Sequence, residues 1–308
     1  MDVVCLGILV ADVIARPVGE LPPWGSLGLV DGITLRGGGC ALNTSSTLVK
    51  LGLSAAAVGK VGADAFGEYL IELLDARGVD RRAVVRDATA PTSATVVLVR
   101  ADGERTFLHH PGADGTLRVD ELDTGVLYAG RALHVAGALV MGALDGQPLA
   151  SVLAEAKRRD LFTSLDTVWD ASGRWSRLEP CLPYVDLAVP SLGEAQAVSG
   201  ERDPERVAAW FRGRGVREIA LTMGADGCYA SGEGFEGVVP AVRVETVDGT
   251  GAGDAFAAGV LYGKLAGWSF EDAVGLGAAA GALATTAVGA FEGVGTLDET
   301  LRYAKMTR

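Results

Sequence analysis

Apolar positions in this chain gather into short runs separated by stretches of helical spacing. Val3–Leu9, Ala55–Val61, Ala132–Ala136, Phe162–Asp166, Tyr184–Val189 and Glu218–Thr222 are mostly apolar over their length, the pattern of strands buried on both faces. Between them Ala41–Leu51, Phe66–Ala76, Leu149–Arg159, Glu194–Val198 and Glu205–Arg212 carry apolar residues on one helical face. This alternation predicts an α/β fold with a mostly parallel central sheet covered on both sides. Val30–Leu35 and the pair Thr95–Arg100 and Glu104–His109, joined by Ala101-Asp102-Gly103, break the rhythm and read as antiparallel strands of a small β lid. Arg105, His109 and His110 on that hairpin read as a solvated strand face. With no repeat or linker, residues 1–308 are expected to form one domain with lid strands near 30–35 and 95–109 inserted. The uncharged stretch Ala273–Phe291 has the length of a membrane span, but its alanines and glycines give weak hydropathy, so a buried helix is expected.

Composition narrows the function. The 308 residues carry a formal net charge of −12, the wrong sign for wrapping a nucleic-acid backbone. Cys5, Cys40, Cys181 and Cys228 show no metal-binding spacing and read as reduced core thiols, and no basic segment precedes the first apolar run; both features predict a cytoplasmic protein with no membrane partner. Neither Gly59-Lys60 nor Gly263-Lys264 completes a phosphate-binding GxxxxGK[ST] loop. The spacing of Gly249, Gly251 and Gly253 also fails the dinucleotide fingerprint.

The stretch VDGTGAGDAF at 247–256 concentrates small residues just before a helical pattern. Glycine is a poor helix former, so these residues serve close approach of the backbone, and the helix N-terminus behind them attracts an anion. Three other small-residue turns follow strands: Gly37-Gly38-Gly39 with Asn43, Gly59 to Gly67, and Thr222 to Gly227. In the form GGxxxN, GxVGxDxFG, TxGxxG and DxTGAGDxF, in this order, they resemble the PfkB or ribokinase-like family of carbohydrate kinases over nearly the whole chain. The resemblance implies a ribokinase-like three-layer α/β/α fold with a β lid, and an ATP-dependent phosphotransferase acting on a hydroxyl of a small sugar or polyol. By its motifs, Gly251, Ala252 and Gly253 form an anion hole and Asp254 is the base. Asp12, just after the first strand, and Gly38, Gly39 and Asn43 bind the sugar; Thr222, Gly224 and Gly227 bind ATP.

The chain departs from the family pattern where Ser191 replaces the Asn of an Asn-x-x-Glu motif, while Glu194 remains for a Mg²⁺ network. Asp248 and Thr250 stand where some members bind K⁺ or another monovalent cation, and a loop satisfied by its own hydrogen bonds is the competing reading. Cys40 reads as a small filler. A nucleoside kinase and a catalytically silent sugar- or nucleotide-binding protein are the alternative functions. Few charged contacts to the substrate are expected beyond Asp12. A homodimer is expected through the lid, whose Ile33, Leu35, Val97 and Val99 need cover.

Overall fold

The computed structural model describes residues 1–304. β1 (Val3–Gly7) is buried throughout, and the chain turns at once into β2 (Val10–Arg16) and β3 (Gly32–Gly38), an antiparallel pair outside the main sheet. α1 (Cys40–Lys50) leads to β4 (Ala55–Val58), parallel to β1. β5 (Lys60–Gly62) and β6 (Val85–Asp87) form a separate parallel pair connected through α2 (Ala65–Ala76), whose N-cap Asp64 accepts from the amide of Gly67. β7 (Ala94–Val99) and β8 (Arg105–His110) complete the lid sheet in the order β3-β2-β7-β8. After α3 (Thr124–Leu127) come β9 (Ala132–Ala138), α4 (Gln147–Arg158), β10 (Phe162–Thr167) and β11 (Leu187–Ala188). α5 (Leu192–Ser199), α6 (Pro204–Arg212) and β12 (Glu218–Thr222) precede a hairpin of β13 (Cys228–Gly232) and β14 (Phe235–Val239). α7 (Ala252–Leu265), α8 (Phe270–Ala284) and α9 (Leu297–Ala304) end the described chain.

The large sheet runs β14-β13-β12-β11-β10-β9-β1-β4, parallel from β12 to β4 and antiparallel at β13 and β14. Successive side chains of a strand point to opposite faces. Thus Val4 and Leu6 of β1 join an apolar cluster with Leu153 of α4 and Phe211 of α6, while Val3 and Cys5 join a second with Leu42, Leu70, Phe256 and Val274 of α1, α2, α7 and α8. Three layers follow from that alternation. β1 lies between β4 and β9: the chain steps from β1 to β4 on one side and later returns to β9 on the other, so the strand order reverses there, and the crevice at the C-terminal end of β1 is where sheets of this kind hold ligands.

The uncharged stretch expected over Ala273–Phe291 is a buried helix, but α8 stops at Ala284, and none of the described helices is long and apolar enough to cross a membrane. Its small residues allow close packing on α7, since a Cβ on Gly259 would stand 2.7 Å from the Cα of Gly277. Three other expectations are corrected. The run Tyr184–Val189 yields only the two-residue β11, because Trp175–Tyr184 is taken up by 3₁₀ turns. The lid strand expected at Val30–Leu35 is β3, shifted toward the glycines, because it pairs residue by residue with β2 up to Val10–Gly38. Asp12 does not follow the first strand in a turn: it lies within β2, a strand the apolar pattern concealed because that pattern is broken by the Asp12 carboxylate itself.

Candidate active site

Gly251 precedes α7 in the left-handed conformation (φ 74°), and a Cβ there would collide with the carbonyl of Ala290. Only glycine allows this tight entry to the helix. Gly253 differs, because apart from its own chain neighbours and helix backbone no atom lies within 4 Å of where its Cβ would stand; the packing does not require glycine, and the space beside it is open. The amides of Gly251 and Gly253 meet no acceptor among the described residues, and that of Ala252 reaches only the carbonyl of Gly249 at 3.5 Å. Unspent donors at the positive end of a helix are suited to an anion.

Asp254, in the first turn of α7, is 7 % exposed. The Nδ2 of Asn43 donates to its Oδ2 at 2.8 Å, and the hydroxyl of Thr44 donates to its backbone carbonyl at 3.4 Å. Both partners lie on α1, whose N-cap Gly39 (φ 88°) packs its backbone against the carbonyl of Ile8 so closely that a side chain has no room. Burial pushes the Asp254 carboxyl above the usual carboxylate range, Asn43 and Cys40 draw it back, and Glu194 pushes it further up. The Oδ1 of Asn43 is buried with no partner, an acceptor left for a hydroxyl beside Asp254. Cys40 has its thiol raised well above the ordinary value by burial, which agrees with a filler and not with a nucleophile.

Asp12 is pushed up to about 6 by burial, against a hydrogen bond from Thr95 and with the charge of Asp248 adding to the rise. A Cβ on Gly38 would run into the Asp12 carboxylate, so that glycine makes room for the acid. Asp12 lines a cleft of about 240 Å³ between the lid and the body, at the small end for ligand clefts. Asp248 and Thr250 line the same cleft, whereas Asp254 and Asn43 are not part of its lining.

The sequence missed the lid's contribution. Arg105, read as part of a solvated face, reaches from β8 into the cleft and donates through Nη1 to Asp248 Oδ1 and Thr250 Oγ1, each at 2.6 Å. Arg16 and Arg36 also line the cleft, against the expectation of few charged contacts. Alternation along β2 is the signal that locates them: Asp12, Ile14 and Arg16 share one face, and Arg36 pairs directly opposite Asp12.

At the ends of β10, β11 and β12 the remaining residues meet. Ser191 caps α5 in a capping box with Glu194, whose Oε2 also accepts from Thr167 at 2.9 Å. Ser191 bridges to Thr222, which sets the turn of Gly224 and Gly227 beside Glu194's helix. Gly227 (φ 91°) allows the turn to close into β13 against the carbonyl of Val239. Asp166, buried at the end of β10, is raised well above its ordinary value by burial and by the charges of Asp254 and Glu194, so these three acids share one field. No motif of the sequence singled Asp166 out.

Fructokinase-1 of Oryza sativa subsp. japonica is 30 % identical over 281 residues, covering 86 % of this chain and 87 % of that protein. The 2-dehydro-3-deoxygluconokinase of Bacillus subtilis (strain 168) is 27 % identical over 283 residues, covering 88 % and 87 %. A structure from E. coli in complex with ATP and Mg²⁺, provisionally named ribokinase II, superposes with a TM-score of 0.85 over 99 % of both chains at 25 % identity. The fold is therefore the ribokinase-like one, with its large, mostly parallel sheet and separate small sheet. The sequence pattern described as "pfkB family carbohydrate kinase" matches residues 1–296, and this chain belongs to the pfkB family of carbohydrate kinases.

Proposed function

We propose that this kinase transfers the γ-phosphoryl group of ATP to a hydroxyl of a small sugar or polyol, with Asp254 as the base. The acceptor oxygen bonds to the γ-phosphorus as its proton passes to Asp254, the bond from that phosphorus to the β,γ-bridging oxygen breaks, and ADP leaves. The amides of Gly251, Ala252 and Gly253 hold the charge on the phosphoryl group in transfer. Asp12 and the free Oδ1 of Asn43 accept from the sugar's hydroxyls, and the Gly38–Gly39 turn brings both to the crevice. The turn of Thr222, Gly224 and Gly227 receives ATP. The names of relatives point to fructose and to 2-dehydro-3-deoxygluconate, so names do not choose the acceptor.

Mg²⁺ fits as a cation carried by the phosphates of ATP, whose charge it neutralises when bound. No group of three or more His, Cys, Asp or Glu side chains among the described residues is placed to hold a metal, whereas the Oε1 of Glu194 makes no hydrogen bond there. One carboxylate plus phosphates is an ordinary Mg²⁺ arrangement. A monovalent cation does not fit in the same way. Asp248 already accepts from Arg105, from the amide and hydroxyl of Thr250 and from the amide of Gly289, so the Arg105 guanidinium supplies the positive charge there. We also assign the outward face of the lid to a homodimer.

The buried pairing of Asp254 with Asn43 beside the unspent amides of α7 carries the assignment. Asp254→Asn keeps size and removes the proton acceptor, so kcat in a coupled ADP-release assay with Mg-ATP should fall by about 10²–10⁴-fold while ATP still binds. A variant that turns over sugar at the native rate removes Asp254 from the mechanism.

A further inference from the structure

The cleft beneath the lid holds more positive charge than a neutral sugar uses. Asp12 and Asp248 are its acids, and Arg16, Arg36 and Arg105 its cations. Arg105 is spent on Asp248. Arg16 and Arg36 make neither an ion pair nor a hydrogen bond among the described residues, in a chain with 39 acidic residues to 27 basic ones. Asp12 does not neutralise them: Arg36 stands directly opposite it across β2 and β3, yet the two form no ion pair. Along β2 the cleft face reads Asp12, Ile14, Arg16, so one guanidinium lies beside the acid that receives hydroxyls and the other lies further along the same face.

Guanidinium groups bind oxyanions through a planar fork of donors, and a hydroxyl offers them only one neutral acceptor. We infer that the acceptor is an anionic sugar, bearing a carboxylate or a phosphate ester attracted by the two unpaired guanidinium groups, Arg36 beside Asp12 and Arg16 further along β2, on the lid face of the cleft. This rests on the kinase reading of the same cleft. The hydroxyls of the acceptor meet Asp12 and Asn43, and its anionic group is held by the arginines of the lid. The lid strands then act as the specificity element of this enzyme, because the charged group is what they can distinguish.

The test measures kcat/KM for fructose, gluconate, 2-dehydro-3-deoxygluconate and fructose 6-phosphate with Mg-ATP, and binding of the same four compounds by calorimetry without ATP. Either acid, or the phosphate ester, should exceed fructose at least tenfold, and which of them does so identifies the anion as carboxylate or phosphate. Its KM should rise with added salt, as screening weakens the charge contact. Arg36→Gln and Arg16→Gln should each cut the ratio of anionic to neutral acceptor at least tenfold, with Arg36→Lys keeping part of it. Both arginines are exposed, so these substitutions spare the core, and the salt dependence of the unaltered enzyme reads the same contact. Fructose turning over or binding better than every anion overturns the inference. Anions that bind more tightly than fructose and lose that advantage in the arginine variants, without any turnover, leave this inference standing and remove the phosphotransferase reading.

Discussion

At the scale of single residues the site joins groups whose environments set their work. Gly253 separates the chemistry from the fold: nothing in the protein occupies the place of a Cβ there, and alanine is the better helix former by about 1 kcal/mol. Gly253→Ala should therefore keep or raise the melting temperature while kcat falls at least about tenfold, because a methyl group enters the space proposed for the phosphoryl group. An active Gly253→Ala enzyme would place the anion elsewhere. Asp12 makes a prediction in pH. Its carboxyl is pushed up to about 6 by burial, from an ordinary value of 3.8. In its proposed role the carboxylate accepts from the sugar's hydroxyls, so kcat/KM for the acceptor should drop as pH falls through about 6. Stability moves the other way: the folded chain holds this proton more tightly than the unfolded chain, so Asp12 adds stability on acidification from about 6 toward 4 and loses it as pH rises through that window. Asp12→Asn should flatten both profiles, read as kcat/KM and as melting temperature against pH; a kcat/KM profile shared by the two proteins would take Asp12 out of acceptor binding.

At the scale of elements, the lid is where pattern and structure diverge most. The turn Ala101-Asp102-Gly103 and the alternation at 95–109 announced a hairpin, and β7 and β8 are that hairpin. The alternation cannot say which face meets the body. Val97 is 7 % exposed because its face covers the cleft, and the same face carries Arg105 onto the loop before α7. That contact ties a lid strand to the segment that orients the proposed anion hole. The native rate should be the same in K⁺ and in tetramethylammonium, whereas Arg105→Gln should lower the rate and make it respond to K⁺. Strong K⁺ stimulation of the unaltered enzyme would contradict this role. Helices α7 and α8 show the opposite balance. Their glycines and alanines were legible as small residues, but only packing shows that Gly259 and Gly277 let two backbones touch, which is why so long an uncharged stretch is stable in the core.

At the scale of the whole molecule, the lid's outward face leaves Ile33 at 67 %, Leu108 at 65 % and Val96 at 37 % exposed, side chains that a lone sheet does not cover. A second copy of the lid is the proposed cover. Light scattering at micromolar concentration should give twice the chain mass, and Ile33→Asp with Leu108→Asp should give the mass of one chain; an unaltered protein of single mass rejects the dimer. Val97 and Val99, expected to share that face, line the cleft instead. What the sequence determined by itself was local in origin. Alternating apolar runs and helical spacings produce a sheet buried on both faces, and the glycine turns with Asn43 and Asp254 produce the two helix starts, because each depends on the conformational limits of neighbouring residues. Tertiary structure decided what residues far apart in the chain do to one another. It brought Asn43 to Asp254 across 211 positions and Arg105 to Asp248 across 143, and it turned Arg16 and Arg36 toward the cleft. A side chain's charge is written in the sequence, but its partner and its exposure are set by the packing of distant elements, and those fix whether it is a solvated group or part of a site.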